Sequence, residues 1–229
     1  MRHRRLLGAG VLGVGLLLGA VGCTNHVVHR ERGFDAYRAQ DWTGAEEEFR
    51  TAVEKKPSDF RSQYYLGATL LKQGRATAAQ VPLEQALQLR QDDPQWRPRI
   101  ADLLAETYFQ QERYEALYGF LDDQIATYSQ QSIDFTRKAK YLGLLGDADG
   151  QKTALQKAAF FAAADDAEPY LAIAEFYLSV NDFENAVQAL RFGYYVDPEN
   201  ERVADMLRGL GKVPGPTLAE APPKPELLD

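Results

Sequence analysis

The sequence of 229 residues holds one cysteine, Cys23. A single thiol excludes a disulfide framework and a cysteine-based metal site within one chain. Histidine is nearly as scarce, with only His3, His26 and His29. His26 and His29 stand three apart and could share a helix face. No cysteine or second acidic pair at fixed spacing accompanies them, so they read as a solvated stem and no metal is expected. There is no Gly-x-Ser-x-Gly, and the only glycine-rich stretch, between Gly8 and Gly22, lies in an apolar leader and is not a phosphate loop. The run Glu46-Glu47-Glu48 is explained by a solvated helix face. With no nucleophile–base pair in view, the chain is read as a non-enzyme without cofactor or small-molecule substrate. Positive charge is also in deficit, 26 Lys+Arg against 33 Asp+Glu, a net charge of −7. That balance argues against nucleic acid as a partner.

What is present begins at the N-terminus. Arg2, His3, Arg4 and Arg5 form a basic start, followed by an uncharged run of 17 residues from Leu6 to Gly22. At ~1.5 Å per residue the run spans roughly 25 Å, short of a ~30 Å hydrocarbon core. Its six glycines weaken a helix further. Both features suit a cleaved secretory leader over residues 1–22 better than a permanent span. The run closes in Ala20-Val21-Gly22-Cys23, which resembles the lipobox of bacterial lipoproteins, although leucine is commoner where Ala20 stands. The resemblance implies cleavage after Gly22 and lipidation of Cys23. Thr24 follows where an aspartate would imply inner-membrane retention, so the resemblance points to a lipid-anchored protein of the bacterial cell envelope, on the outer membrane and facing the periplasm. Loss of residues 1–22 would leave 23 Lys+Arg against 33 Asp+Glu, a net charge of −10.

The rest of the chain repeats itself. Ala45, Phe49, Ala52 and Pro57 follow Asp41-Trp42, and Ala186, Leu190, Gly193 and Pro198 follow Asp182-Phe183 at the same offsets. The same frame reads Ala79, Leu83, Ala86, then Leu117, Leu121, Gln124, then Gln151, Leu155, Ala158. The first members are 34, 38, 34 and 35 residues apart. A second register agrees: Gly33, Gly67, Ala105, Ala139 and Ala174 stand twelve residues before those positions, all of them small. A small residue lets two antiparallel helices approach closely. Turns are expected at Gln40-Asp41, Gly74-Arg75, Glu112-Arg113, Gly146-Asp147 and Asn181-Asp182, so each unit reads as helix, turn, helix.

This pattern resembles the tetratricopeptide repeat: 34 residues, a small residue early in the first helix (helix A), Ala-x3-Phe in the second (helix B), and a closing proline. The resemblance implies an all-α fold, a right-handed α-solenoid of about five repeat units over 26–59, 60–97, 98–131, 132–166 and 167–200. Units three and four depart from the pattern, with Leu117 and Gln151 where alanine is expected. Val203, Met206, Leu207 and Leu210 share one apolar face and predict a capping helix over 201–211, which an array of repeats needs at its end. The tail 212–229 carries Pro214, Pro216, Pro222, Pro223 and Pro225 and is expected to be disordered or extended.

In tetratricopeptide domains helix A lines a concave surface that holds partner peptides. In this frame the positions facing it include Arg30, Phe34, Tyr37, Arg38, Arg61, Tyr64, Lys72, Arg99, Phe109 and Lys140. Cations and aromatics clustered in an acidic chain suggest an acidic or C-terminal-carboxylate peptide as partner. The competing reading is that these arginines pair with local acids such as Asp35 or Glu106. The resemblance implies a membrane-anchored protein–protein interaction scaffold. A pilotin-like lipoprotein assisting secretin or type IV pilus assembly, and a scaffold or regulator of peptidoglycan enzymes, are the alternatives. In the pairs Tyr64-Tyr65, Phe160-Phe161 and Tyr194-Tyr195 neighbours point ~100° apart on a helix, so only one of each can be fully in the core.

Overall fold

Each expected turn is built around one left-handed residue. Gln40, Gly74, Glu112, Gly146 and Asn181 have φ of 59°, 71°, 56°, 81° and 59°. The amide that follows each of them reaches back along the helix just ended: Asp41 N–H to Ala36 O (2.9 Å), Arg75 to Leu70 (2.9 Å), Arg113 to Tyr108 (3.1 Å), Asp147 to Leu142 (2.9 Å) and Asp182 to Tyr177 (2.8 Å). This is the Schellman closure, which satisfies carbonyls that a helix end would otherwise leave open. The donor residue then caps the next helix. The carboxylates of Asp41, Asp147 and Asp182 accept from the amides of Gly44, Gly150 and Asn185 at 3.0, 2.8 and 3.1 Å. One helix therefore stops and its antiparallel partner starts within a few residues.

The computed structural model describes residues 18–128 and 131–223. Eleven helices lie among them: α1 (Leu18–Arg38), α2 (Trp42–Lys55), α3 (Phe60–Lys72), α4 (Ala76–Arg90), α5 (Trp96–Gln110), α6 (Tyr114–Thr127), α7 (Ser132–Leu144), α8 (Ala148–Phe160), α9 (Glu168–Ser179), α10 (Phe183–Val196) and α11 (Glu201–Gly209). The described residues contain no strand, and the helix count fits about five helix–turn–helix units and a cap in an all-α fold. The leader expected at residues 1–22 falls largely outside the described residues, as do the surroundings of the Cys23 side chain and residues 224–229 of the tail. Among the described residues no helix is long and apolar enough to cross a membrane.

The chain divides into two compact units at Thr107/Tyr108. In the first, the small residues of helix A receive large residues of helix B. A methyl group added at Gly33 would stand 2.7 Å from the Phe49 ring, and one at Gly67 would run into the Leu83 side chain. Phe49, Leu83, Ala45, Ala52, Ala79 and Ala86 are all fully buried. The period of about 34 residues is thus a packing period: glycine on one helix is the socket for Phe or Leu on the next.

In the second unit Ala139, Leu142, Ala154, Leu155 and Phe176 form one apolar cluster. Ala167, Leu171, Ala174, Ala189, Leu190, Val203 and Leu207 form another, which joins α9, α10 and the cap α11. Gln151, at a position where the repeat has alanine, is half-buried and lies over Gly143; a methyl group at Gly143 would meet its amide at 2.6 Å. The larger side chain on α8 is matched by the missing one on α7. Asp134 and Arg137 form a buried ion pair one turn apart on α7, at 2.5 Å.

The first half of the tail, expected to be disordered or extended, is non-helical and docked. Gly211 (φ 71°) closes α11 with Lys212 N–H on Leu207 O at 2.9 Å. Residues 212–220 then return along α10. Arg191 Nε donates to Leu218 O at 2.9 Å, the Arg191 guanidinium pairs with Glu220 at 2.7 Å, and Leu218 packs against the terminal core. Proline keeps this segment from being helical, but one leucine and one acid are enough to dock it. Composition, which suggested a disordered or extended tail, does not register such a contact.

Candidate binding surface

Eight of the ten positions singled out from the sequence lie in the first unit, and the structure joins most of them through rings. Phe34 of α1 packs edge-on against Phe49 and Tyr65, at 5.5 and 4.7 Å between centroids. Tyr37 meets Trp42 at 5.2 Å and Tyr65 at 5.4 Å. Tyr65 leads to Tyr64 at 5.0 Å, and Tyr64 to Trp96 at 5.4 Å. Trp96 in turn packs on Phe60 at 5.0 Å. Helices α1, α2, α3 and α5 are therefore linked by one continuous aromatic chain, half-buried along much of its length. Edge-to-face pairs of this kind add about 0.5–1.5 kcal/mol each beyond area burial. Burial, with Tyr65 and Tyr37 close by and Arg99 partly opposing, pushes the Tyr64 hydroxyl up to about 12. Burial also raises Tyr37 above the ordinary tyrosine value. Both hydroxyls stay protonated at neutral pH and can donate to a bound acceptor.

The cations divide into two groups. Arg30 is tied down, to Glu31 at 3.1 Å and to the largely buried Asp59 at 3.4 Å. Arg38 pairs with Asp35 one turn away at 2.5 Å, as the competing sequence reading expected. Their charges are locally neutralised. Arg61 and Arg99 are exposed and face rings instead: Arg61 lies 5.8 Å from the Phe60 centroid and 5.9 Å from that of Trp96, and Arg99 lies 5.5 Å from Trp96. Among the described residues no ion pair engages Arg61, Lys72 or Arg99. Lys72 is exposed in the last turn of α3. Arg90, absent from the sequence-derived set, sits 4.1 Å from the Phe60 ring. It belongs to helix B of its pair, so a search confined to helix A passes it over. Trp96 and Phe60 were likewise missed, since each begins a helix just after a loop.

Phe109 and Lys140 belong to the second unit. Phe109 packs on Tyr114 and Tyr141 at 6.1 and 5.5 Å, and the Lys140 ammonium lies 4.8 Å from the Tyr141 ring. Lys140 also borders a groove of about 480 Å³ between α7 and α9, lined by Leu144, Gln151, Leu171, Phe176 and Glu175 and reached by Arg202 of α11. Arg202 holds Glu168 at 2.8 Å and Glu175 at 3.7 Å across the mouth of this groove. No periodicity in the sequence marks this groove, because Arg202 comes from the cap and Gln151 from a degenerate repeat. Among the described residues no group of three or more His, Cys, Asp or Glu side chains could hold a metal ion.

Tetratricopeptide-repeat family models match residues 36–106 and residues 167–200. The chain carries tetratricopeptide repeats in these two stretches. No curated protein matches it in sequence. Its fold is similar to that of a thermophilic tetratricopeptide-repeat protein of Thermus thermophilus, with 21% identity over 81% of this chain and 98% of that one at a TM-score of 0.51. It is also similar to PilW, a type IV pilus biogenesis factor (16% identity, 82% and 85% covered, TM-score 0.56), and to pilF of Pseudomonas aeruginosa (16%, 83% and 85%, 0.54). At these identities the likeness is one of fold. The tetratricopeptide fold is that of a protein–protein interaction scaffold, generally non-catalytic.

Proposed function

We propose that this protein is a lipid-anchored scaffold of the bacterial cell envelope that holds a partner polypeptide on its tetratricopeptide surface. The observation that carries the anchor is the sequence Ala20-Val21-Gly22-Cys23, closing a basic-start apolar run and leading straight into the first helical hairpin. Cleavage before Cys23 makes the acylated residue the first of α1. The repeat array then begins at the membrane without an intervening linker. Two or more acyl chains give stable attachment. Confinement to one membrane raises the effective concentration of the scaffold toward partners in that membrane. The binding surface in this reading is the aromatic chain of α1, α3 and α5 with Arg61, Lys72 and Arg99 around it, and its partner carries negative charge.

Metabolic labelling with an acyl probe tests the anchor. Label should enter the native chain and be lost from Cys23→Ala, with that variant moving to the soluble fraction; an unlabelled native chain sinks the claim. Affinity capture from native membranes followed by mass spectrometry tests the scaffold. Recovery of a secretin or pilus component would select a pilotin-like role, and recovery of peptidoglycan hydrolases would select a role in wall remodelling. If the native and Cys23→Ala forms recover nothing beyond a mock sample, the scaffold reading fails.

A further inference from the structure

Three guanidinium groups surround one ring pair in the first unit. Phe60 and Trp96 open α3 and α5 and meet edge-on at 75°. Arg61 lies near both rings, Arg99 near Trp96 and Arg90 over Phe60. A guanidinium resting on a ring face keeps its N–H edges free, already oriented for an in-plane acceptor such as a carboxylate. All three arginines are exposed. The first turns of α3 and α5 contain no acidic residue. Nearby acids are largely committed. Asp59 is bonded to Ser62 and Arg30, and Asp93 accepts from the Trp96 amide at 3.0 Å and approaches Arg90 only at 4.0 Å; Asp92 is exposed. Beside Arg90 lies an open cavity of about 520 Å³ lined by Gln88, Leu89, Asp93 and Pro94.

We propose that Arg61, Arg90 and Arg99 together grip a carboxylate of the partner polypeptide, an acidic side chain or a free C-terminus, and hold it against the edge of the Phe60–Trp96 pair. This rests on the interaction-scaffold reading and deepens it: the anionic anchor sits where the α3 and α5 starts meet the end of α4, and helix B supplies one of its three arms. The charge complementarity is local, in a chain whose net charge is −7. Arg30 and Arg38, already paired, take no part.

Trp96 provides the readout, because the sequence has only two tryptophans and Trp42→Phe leaves Trp96 as the single emitter. The mature chain with this change is titrated with a short synthetic peptide ending in three glutamates and a free carboxylate, and with its lysine counterpart. Calorimetry on the unsubstituted mature chain repeats both titrations. The acidic peptide should shift Trp96 emission saturably, with affinity falling as salt rises, and the lysine peptide should not. Arg90→Gln, Arg61→Gln and Arg99→Gln should each weaken binding about tenfold, the loss of one charge-assisted pair. Arg50→Gln on α2 should leave it unchanged. Equal binding of both peptides, no binding of either, or full binding by Arg90→Gln overturns the proposal. Arginine-dependent binding of phosphatidylglycerol vesicles in place of the peptide also overturns it. If the triple Arg→Gln protein still captures the native partner from membranes, the anion grip is wrong while the scaffold reading stands.

Discussion

The two units solve the same packing problem with different materials. In the first, glycine on helix A receives a large residue from helix B, at Gly33 under Phe49 and Gly67 under Leu83, and aromatic rings link successive helices. In the second, the small residue is alanine at Ala139 and Ala174, the core mixes aliphatic side chains with buried Phe135, Tyr141 and Phe176, and polar devices finish the job: the buried Asp134–Arg137 pair, Gln151 over Gly143, and a tail strapped down by Arg191. Family models cover residues 36–106 in the first unit and residues 167–200 in the second, and the departures from the repeat at Leu117 and Gln151 lie between them. The contrast shows that a repeat signature records close helix approach through small residues. Where polar and aliphatic groups of other shapes fill the same space, the helical pair persists and the signature fades.

The comparison can be broken first in the second unit. Leu190→Ala removes a fully buried side chain shared by α9, α10 and α11. A loss of about 2–5 kcal/mol is expected in denaturant unfolding, with hydrogen exchange rising in α9–α11 and not in α3–α4. Uniform acceleration throughout the chain would mean that the units do not behave as separate packing bodies. Gly67→Ala is the counterpart in the first unit. Its new methyl group is driven into Leu83, and a loss of about 1–3 kcal/mol is expected. Ala139→Gly, which adds no atom, should cost only about 1 kcal/mol through helix propensity. If Gly67→Ala is neutral, the glycine socket is not what separates the two units.

Smaller effects test the turns. Asp41→Ala takes away the side chain that accepts the Gly44 amide and should cost about 1 kcal/mol, read as a lower Tm. The smallest effect concerns pH. The hydrogen bond from Arg50, with Arg75 beside it, holds the Glu46 carboxyl below the usual glutamate value, although burial works the other way. A depressed folded-state value means that its contribution is present above the ordinary glutamate pKa and is lost as pH falls through the folded value. Glu46→Gln should therefore flatten the acid limb of the stability profile below about pH 4.5 and leave the profile near pH 7 parallel to that of the native chain. An unchanged acid limb would place the acid sensitivity of the first unit elsewhere.

Much of the fold was legible in the sequence for a specific reason. Turn residues and small residues act locally or at a fixed spacing, so their positions are visible in the chain. All five expected turns hold a residue with positive φ, including Gln40 and Glu112, where no glycine announces it. The candidate surface was less legible. Arg38 pairs with Asp35 one turn away, as the competing reading of the sequence expected, but the Arg30–Asp59 pair was not legible, because such a salt bridge depends on where a distant carboxylate ends up. Arg90, outside the set drawn from helix A, stands over Phe60, and the α7–α9 groove draws Arg202 from outside the repeats.

By itself the sequence determined the helix pairs, their turns, the cap and the register that puts small residues opposite large ones, since each follows from backbone geometry and side-chain size at a set spacing. Only the tertiary structure decided which cations keep free donors, which rings join across helices, and that part of a proline-rich tail docks. Those outcomes depend on distances between residues far apart in the chain, and electrostatic and ring contacts change over a few ångströms that no one-dimensional pattern records.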